Sequence, residues 1–251
     1  MLHLEQSREA AAAGNASGAQ NFAAKAHALD PGFAAAAVHY AGLLRIGGRL
    51  RHARKVIETA WRAAPHPALA VAYEELHADV APLQRVKLLE RLAALAPAHV
   101  ESALALAAAS FKARLWGEAR RHLHLAGANS ANVSATMPSP RVCLAMAELE
   151  EAEHGDQAAA RSWRARAAAT STADPTYQCR VCGAERAEWS ALCPHCRGFA
   201  TLDWRVPTDG AAPRPRDTAG DLVGDLAPAL PVPQSWSPPA APQAPTIDAR
   251  P

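Results

Sequence analysis

The feature that most constrains this chain is a repeat. Gly14, Ala19, Ala26 and Pro31 recur as Gly48, Ala53, Ala60 and Pro65, each displaced by 34 residues. The chemistry of those positions describes a helical hairpin. Glycine permits a tight turn between two helices, the alanines let helices approach closely, and proline stops the second helix. Gly155, Ala160 and Ala167 repeat the internal spacing of Gly14, Ala19 and Ala26. Two intervening units are degenerate. Between about Pro67 and Pro97 the period shortens to 32, Pro82 opens a second helix, and Leu88, Leu89, Leu92 and Leu95 form its apolar stripe. In the fourth unit Trp116, Ala119, Leu123 and Ala126 take the second-helix positions, but Arg114 stands where the turn glycine belongs, which predicts a less regular turn.

Composition agrees with an all-α array. The chain is 49% hydrophobic but only 5% aromatic, with alanine supplying much of the apolar count. That mixture suits helix packing through small residues rather than a strand-rich sandwich. A 34-residue hairpin with a small residue in each helix and a terminal proline resembles the tetratricopeptide repeat, over residues 1–170. The resemblance implies a solenoid of about five helix pairs whose first helices line a concave groove that binds a protein partner. In that frame Arg45, Lys112 and Glu153 are the candidate groove residues. Met1 falls near the start of a first helix, so a further amino-terminal part or another segment is expected to cover that first face.

Charge and patterning exclude several classes. The 26 Lys and Arg against 24 Asp and Glu leave +2, too balanced for a dedicated polyanion binder, so no nucleic-acid partner is expected. The longest apolar stretches are interrupted by His39, Arg45 and Glu101, so no membrane span is expected. Met1 to Arg8 lack a basic region followed by an apolar one, which makes a cytoplasmic chain the default. No GxGxxG, Walker loop, HExxH or nucleophile elbow occurs, and the chain is not expected to be an enzyme. His122 and His124, two apart on a helix, make a poor ligand pair and read as surface residues.

The strongest chemical signal follows Asp174-Pro175. Cys179-Arg-Val-Cys182-Gly183 is followed, with ten residues between Cys182 and Cys193, by Cys193-Pro-His-Cys196. Two CxxC turns, each presenting two thiolates, converge on the tetrahedral sulfur set that zinc accepts, with Gly183 supplying a positive φ. A redox pair would need a helix start in a βαβ setting, which is absent. Iron bound as in rubredoxin is the alternative, because CxxCG and CPxC are its knuckles too; no exposed apolar edge for electron transfer is identified. His195 is expected to face solvent, and Cys143 to pack in a helical core. Residues 176–205 carry four arginines against three acids, and no basic stripe emerges. Trp189, Leu192, Phe199, Leu202 and Trp204 are expected to pack this ribbon onto the last repeat, since so small a module cannot bury them alone.

Repeats followed by a four-cysteine ribbon are rarer than either part. The segments Gly47–Pro67, Cys143–Asp156 and Ala187–Cys196 with Thr201–Trp204 look like the carboxy-terminal half of alphaproteobacterial HemY proteins. That resemblance covers about residues 1–205. It implies a role in haem (tetrapyrrole) biosynthesis at the inner membrane, where such proteins are anchored by an amino-terminal part or through a partner. LapB, an adaptor controlling turnover of an envelope biosynthetic enzyme, is similar in architecture. The remaining segment, 206–251, holds 11 of the 20 prolines and is expected to be a disordered linker.

Overall fold

The computed structural model describes residues 1–128 and 138–207. Ten α-helices are found among the described residues: α1 (Leu2–Ala12), α2 (Ala16–Leu29), α3 (Ala34–Ile46), α4 (Leu50–Ala63), α5 (Pro67–Glu75), α6 (Pro82–Ala93), α7 (Val100–Lys112), α8 (Trp116–Leu123), α9 (Pro140–His154) and α10 (Gln157–Ala169). They pack in consecutive twos, and each later first helix also packs on the second helix before it. This is a tetratricopeptide-like array. The expected Pro-rich tail lies outside the described residues from position 208 onward.

The turns account for the repeat. Gly14, Gly48 and Gly155 have φ of 75°, 72° and 64°, the left-handed region that closes a helix without a Cβ clash. After Gly48, the Arg49 N–H returns to the Leu44 carbonyl at 2.8 Å. The Arg114 turn is not less regular, contrary to the sequence-based expectation. Arg114 adopts φ 56°, and the Leu115 N–H reaches the Ser110 carbonyl at 2.9 Å, the same closure with a side chain in place of glycine. The irregularity falls at the other end of that pair. After Leu123 the helix widens into a π turn, His124–Ala128, with Gly127 at φ 116°. The slipped period of the third pair has a different origin. Residues 76–81 join α5 to α6, and α5 is only nine residues long.

The alanines sit where the repeat requires. Ala19, Ala53, Ala60, Ala119 and Ala160 are fully enclosed at helix contacts. Around them Leu44, Ile57, Trp61, Leu69, Tyr73, Leu89 and Leu92 form the core of the second and third pairs. A second core joins Leu123 of α8 to Val142, Met146 and Leu149 of α9. Cys143 of α9 is buried as expected, its Sγ 3.8 Å from the Pro138 carbonyl. His122, expected at the surface, is buried beside Arg121, whose guanidinium is 3.0 Å from its Nε2, because α8 turns that side toward α6 and α7.

After α10 the chain forms a small antiparallel sheet of β1 (Thr176–Cys179), β2 (Glu185–Arg186) and β3 (Leu202–Arg205) in the order β2-β1-β3. Tyr177 pairs with Arg186 on one side and Trp204 on the other. This ribbon does not pack on the last repeat. Its buried residues Tyr177, Trp189 and Leu202 share a cluster with Leu4 of α1, Ala26 of α2 and Ala36 of α3. The connector explains the path. Arg141, at the start of α9, donates its backbone N–H to the Asp174 carboxylate at 2.8 Å, while its guanidinium pairs with buried Glu101 of α7. The chain is thereby led from the end of α10 past the starts of the first helices and back to the first two pairs. Leu192 and Phe199, also expected in that packing, are exposed instead.

Candidate metal centre

The two cysteine turns are built alike. Cys179 N–H donates to the Ala184 carbonyl and Gly183 N–H to the Cys179 carbonyl, at 2.9 and 2.8 Å. In the second turn Cys193 N–H donates to Gly198 and Arg197 N–H to Cys193, again at 2.9 and 2.8 Å. Gly183 and Arg197 occupy the equivalent left-handed position, with φ 74° and 62°. Each turn thus aims two sulfurs inward, and β1 together with the Leu192–Phe199 bridge brings the turns face to face.

The four Sγ atoms of Cys179, Cys182, Cys193 and Cys196 lie within 4.8 Å of one another. Cys179 to Cys196 and Cys182 to Cys193 are each 3.7 Å. A tetrahedron with metal–sulfur bonds of about 2.3 Å has edges of about 3.8 Å, whereas a disulfide requires sulfurs about 2.0 Å apart. The donor set therefore fits one tetrahedral metal ion. Burial opposes a thiolate at Cys179, yet the Thr201 hydroxyl at 3.2 Å and the backbone N–H groups of Cys182 and Val181 bring its pKa down to about 6. Burial, the largest influence on Cys182, pushes that thiol up to about 12. A cation at the centre would relieve this disparity by stabilising every thiolate at once. His195 is exposed and contributes no ligand atom to the cluster.

The seat of the ribbon contains residues that no motif marked. His66 caps α5, its Nδ1 accepting from Ala68 N–H at 3.1 Å, and its ring lies 4.2 Å from that of Trp204 and 5.6 Å from that of Tyr177. Burial, helped by nearby Arg141, lowers its pKa to about 4, so it is a neutral aromatic filler. Phe33 meets Trp189 edge-on at 5.0 Å, and Arg8 lies over the same indole at 5.4 Å. One signal was present: His66 and His99 stand before the first helices α5 and α7 and cap them in the same way.

The candidate groove residues fall apart. Lys112 borders a groove of about 440 Å³ between α7, α8 and α9, walled by Leu104, Phe111, Leu123 and Ala145, and it pairs with Glu74 at 3.0 Å. Glu153 is tied to Arg120 at 2.7 Å, and Arg45 is exposed at the end of α3; neither lines that groove.

Fold and cluster together define a tetratricopeptide-like array carrying a four-cysteine ribbon. The chain is 34% identical over 203 residues, 80% of its length, to the probable magnetosome protein Mms48 of Magnetospirillum gryphiswaldense, of which the match spans 43%. It therefore covers less than half of that relative. The array is similar to the structure of TTC0263, a thermophilic TPR protein of Thermus thermophilus (TM-score 0.41, 16% identity, 67% of this chain and 90% of that one). It is also similar to MamA (TM-score 0.38, 12% identity, 64% and 92%). No protein-family profile matches the chain. No helix among the described residues is long and apolar enough to cross a membrane.

Proposed function

We propose that this chain is a non-catalytic protein-binding scaffold, with Cys179, Cys182, Cys193 and Cys196 holding one structural zinc ion and the groove between α7, α8 and α9 receiving an apolar segment of a partner. The observation that carries this reading is the division of the array. The ribbon occupies the surface of the first two pairs, while the Leu104–Phe111–Ala145 groove stays open and apolar with Lys112 and Glu148 at its rim. Concave apolar surfaces with a few polar edges favour peptide or protein recognition. The HemY resemblance would attach the scaffold to haem biosynthesis and the LapB resemblance to turnover of an envelope enzyme, whereas the relative is named for the magnetosome. The scaffold role does not depend on which context applies.

The test is capture of a partner from native membranes by the full chain and by Ala108→Arg, which would fill the groove. Loss of the partner with retained helicity supports the reading, and equal recovery removes the groove from the site. A second reading is favoured by one observation that corrects the expectation from sequence. Val181, Leu192 and Phe199 are exposed on the ribbon, giving it apolar residues that a redox partner could contact. Elemental analysis distinguishes the two: one zinc per chain fits the scaffold, and iron with a visible charge-transfer spectrum fits electron transfer.

A further inference from the structure

The whole-chain charge of +2 conceals a strong segregation. The five second helices, α2, α4, α6, α8 and α10, carry thirteen Lys and Arg against three Glu. The five first helices, α1, α3, α5, α7 and α9, carry four against nine. The two sets differ in how far that charge is neutralised. On the first helices six of the nine acids, Glu5, Glu74, Glu101, Glu150, Glu151 and Glu153, are engaged by arginine or lysine, and Glu9, Glu75 and Glu148 form no ion pair with a described residue. On the second helices Arg51, Lys55, Arg62, Lys87, Arg91 and Arg161 are exposed and form no ion pair with any described residue.

These cations are also arranged. Arg51, Lys55 and Arg62 fall within about 40° of one another around α4, because residues four and eleven apart share a helix face. On α6, Leu83, Lys87 and Arg91 follow at four-residue intervals, and Leu83 is 58% exposed. Leu50, at the start of α4, is likewise exposed beside Arg51 and Arg54. The aromatic rings of the second helices are withheld from solvent: Trp61 is buried, while Phe22, Trp116 and Trp163 are half-buried. A surface for single-stranded nucleic acid would present such rings for stacking. Exposed leucines among unpaired lysines and arginines instead match the interfacial chemistry of an anionic bilayer, where leucine enters the acyl boundary and the cations meet lipid phosphate.

We infer that the second-helix face of α4 and α6 is a docking surface for an anionic lipid bilayer; none of its exposed cations or leucines belongs to the cluster that seats the ribbon or lines the partner groove. Each basic residue near such a surface contributes about a fivefold gain in partitioning, so five of them without any apolar insertion are enough for measurable, salt-sensitive binding. A second copy of the chain is a poorer occupant, because six of the nine first-helix acids that could meet this face, Glu5, Glu74, Glu101, Glu150, Glu151 and Glu153, are already paired within each molecule.

The experiment is co-flotation of the full, metal-loaded chain with phosphatidylcholine vesicles that contain or lack phosphatidylglycerol, across a salt series. The expected result is recovery with phosphatidylglycerol alone, falling steeply with salt, at least tenfold lower for Lys55→Glu/Lys87→Glu/Arg91→Glu and weaker for Leu83→Ser. Far-UV circular dichroism verifies that these exposed changes leave the helices intact; the single Lys87→Glu variant replaces the triple should it lose helicity. Equal recovery with both vesicle types, no recovery with either, or indifference to the charge reversals overturns the inference. Binding to duplex RNA with no binding to vesicles reassigns the face to nucleic acid.

Discussion

Trp61 and Trp189 are both buried, but by different means. Trp61 is enclosed by α4's own pair and its neighbours, among Leu44, Ile57, Leu69 and Tyr73. Trp189 is enclosed by Phe33 and Arg8, which come from the opposite end of the described chain. An array built from near neighbours has a core in every pair and loses little when one element is disturbed. The ribbon, with three strands totalling ten residues, has no such reserve and depends on its metal and on its seat. Perturbing the metal, the seat, a helix contact and a turn should therefore have unequal consequences.

The largest effect is expected from Cys193→Ser. Structural zinc in small domains supplies about 10–16 kcal/mol of apparent folding free energy at neutral pH. The variant should lose its metal, and residues 176–205 should become protease-sensitive, while far-UV helicity survives because the helical cores contain no cysteine ligand. Limited proteolysis followed by mass spectrometry measures this. A ribbon that stays resistant without metal would show that the seat alone folds it.

The seat itself is tested by pH. His66 is neutral in the docked state with a pKa of about 4, whereas an undocked histidine titrates near 6.5. The undocked state therefore binds the extra proton first. The contribution of His66 to docking is complete above about pH 6.5 and is lost as pH falls toward 4, by at most about 3 kcal/mol. Trp189 and Trp204 fluorescence should report the loss. In His66→Asn, which keeps an acceptor for the Ala68 N–H but does not titrate, the change across that window should flatten. An unchanged pH profile would separate His66 from docking.

Much of the array was legible because its signals are local. Gly14, Gly48 and Gly155 mark left-handed turns, and Ala53 and Ala60 mark close helix contacts, whatever the rest of the chain does. The cysteine spacing was legible for the same reason. The seat of the ribbon was not, because it depends on how five pairs accumulate curvature and on the Arg141–Asp174 bond, a contact 33 residues apart without a motif. The charge segregation was hidden for another reason: alternating helices cancel in any sum over the chain. Ala53→Leu tests the local part. Ala53 is fully enclosed, so the larger side chain should overpack α4 and cost about 1–3 kcal/mol in a thermal or denaturant melt. A melt identical to that of the native chain would contradict the register.

Arg114 gives the smallest effect and the finest test of the array. Its φ of 56° places a Cβ in the region where glycine stands in three other pairs. The flanking bonds from Arg114 N–H to the Phe111 carbonyl and from Leu115 N–H to the Ser110 carbonyl are both 2.9 Å, so the turn is held by the backbone, not by the side chain. Arg114 is exposed and forms no ion pair with a described residue, so its removal forfeits no ion pair. Two terms then compete. Relief of the left-handed conformation favours glycine by about 1–2 kcal/mol, and the greater freedom of glycine in the unfolded chain opposes it by about 0.5–1 kcal/mol. The first is the larger, so Arg114→Gly should raise the denaturation midpoint by a net of roughly 0.5–1 kcal/mol without changing its slope. Arg114→Ala separates the causes: it removes the same charge and keeps the Cβ, so it should leave the midpoint near that of the native chain. If alanine stabilised as much as glycine, charge rather than backbone strain would govern this turn.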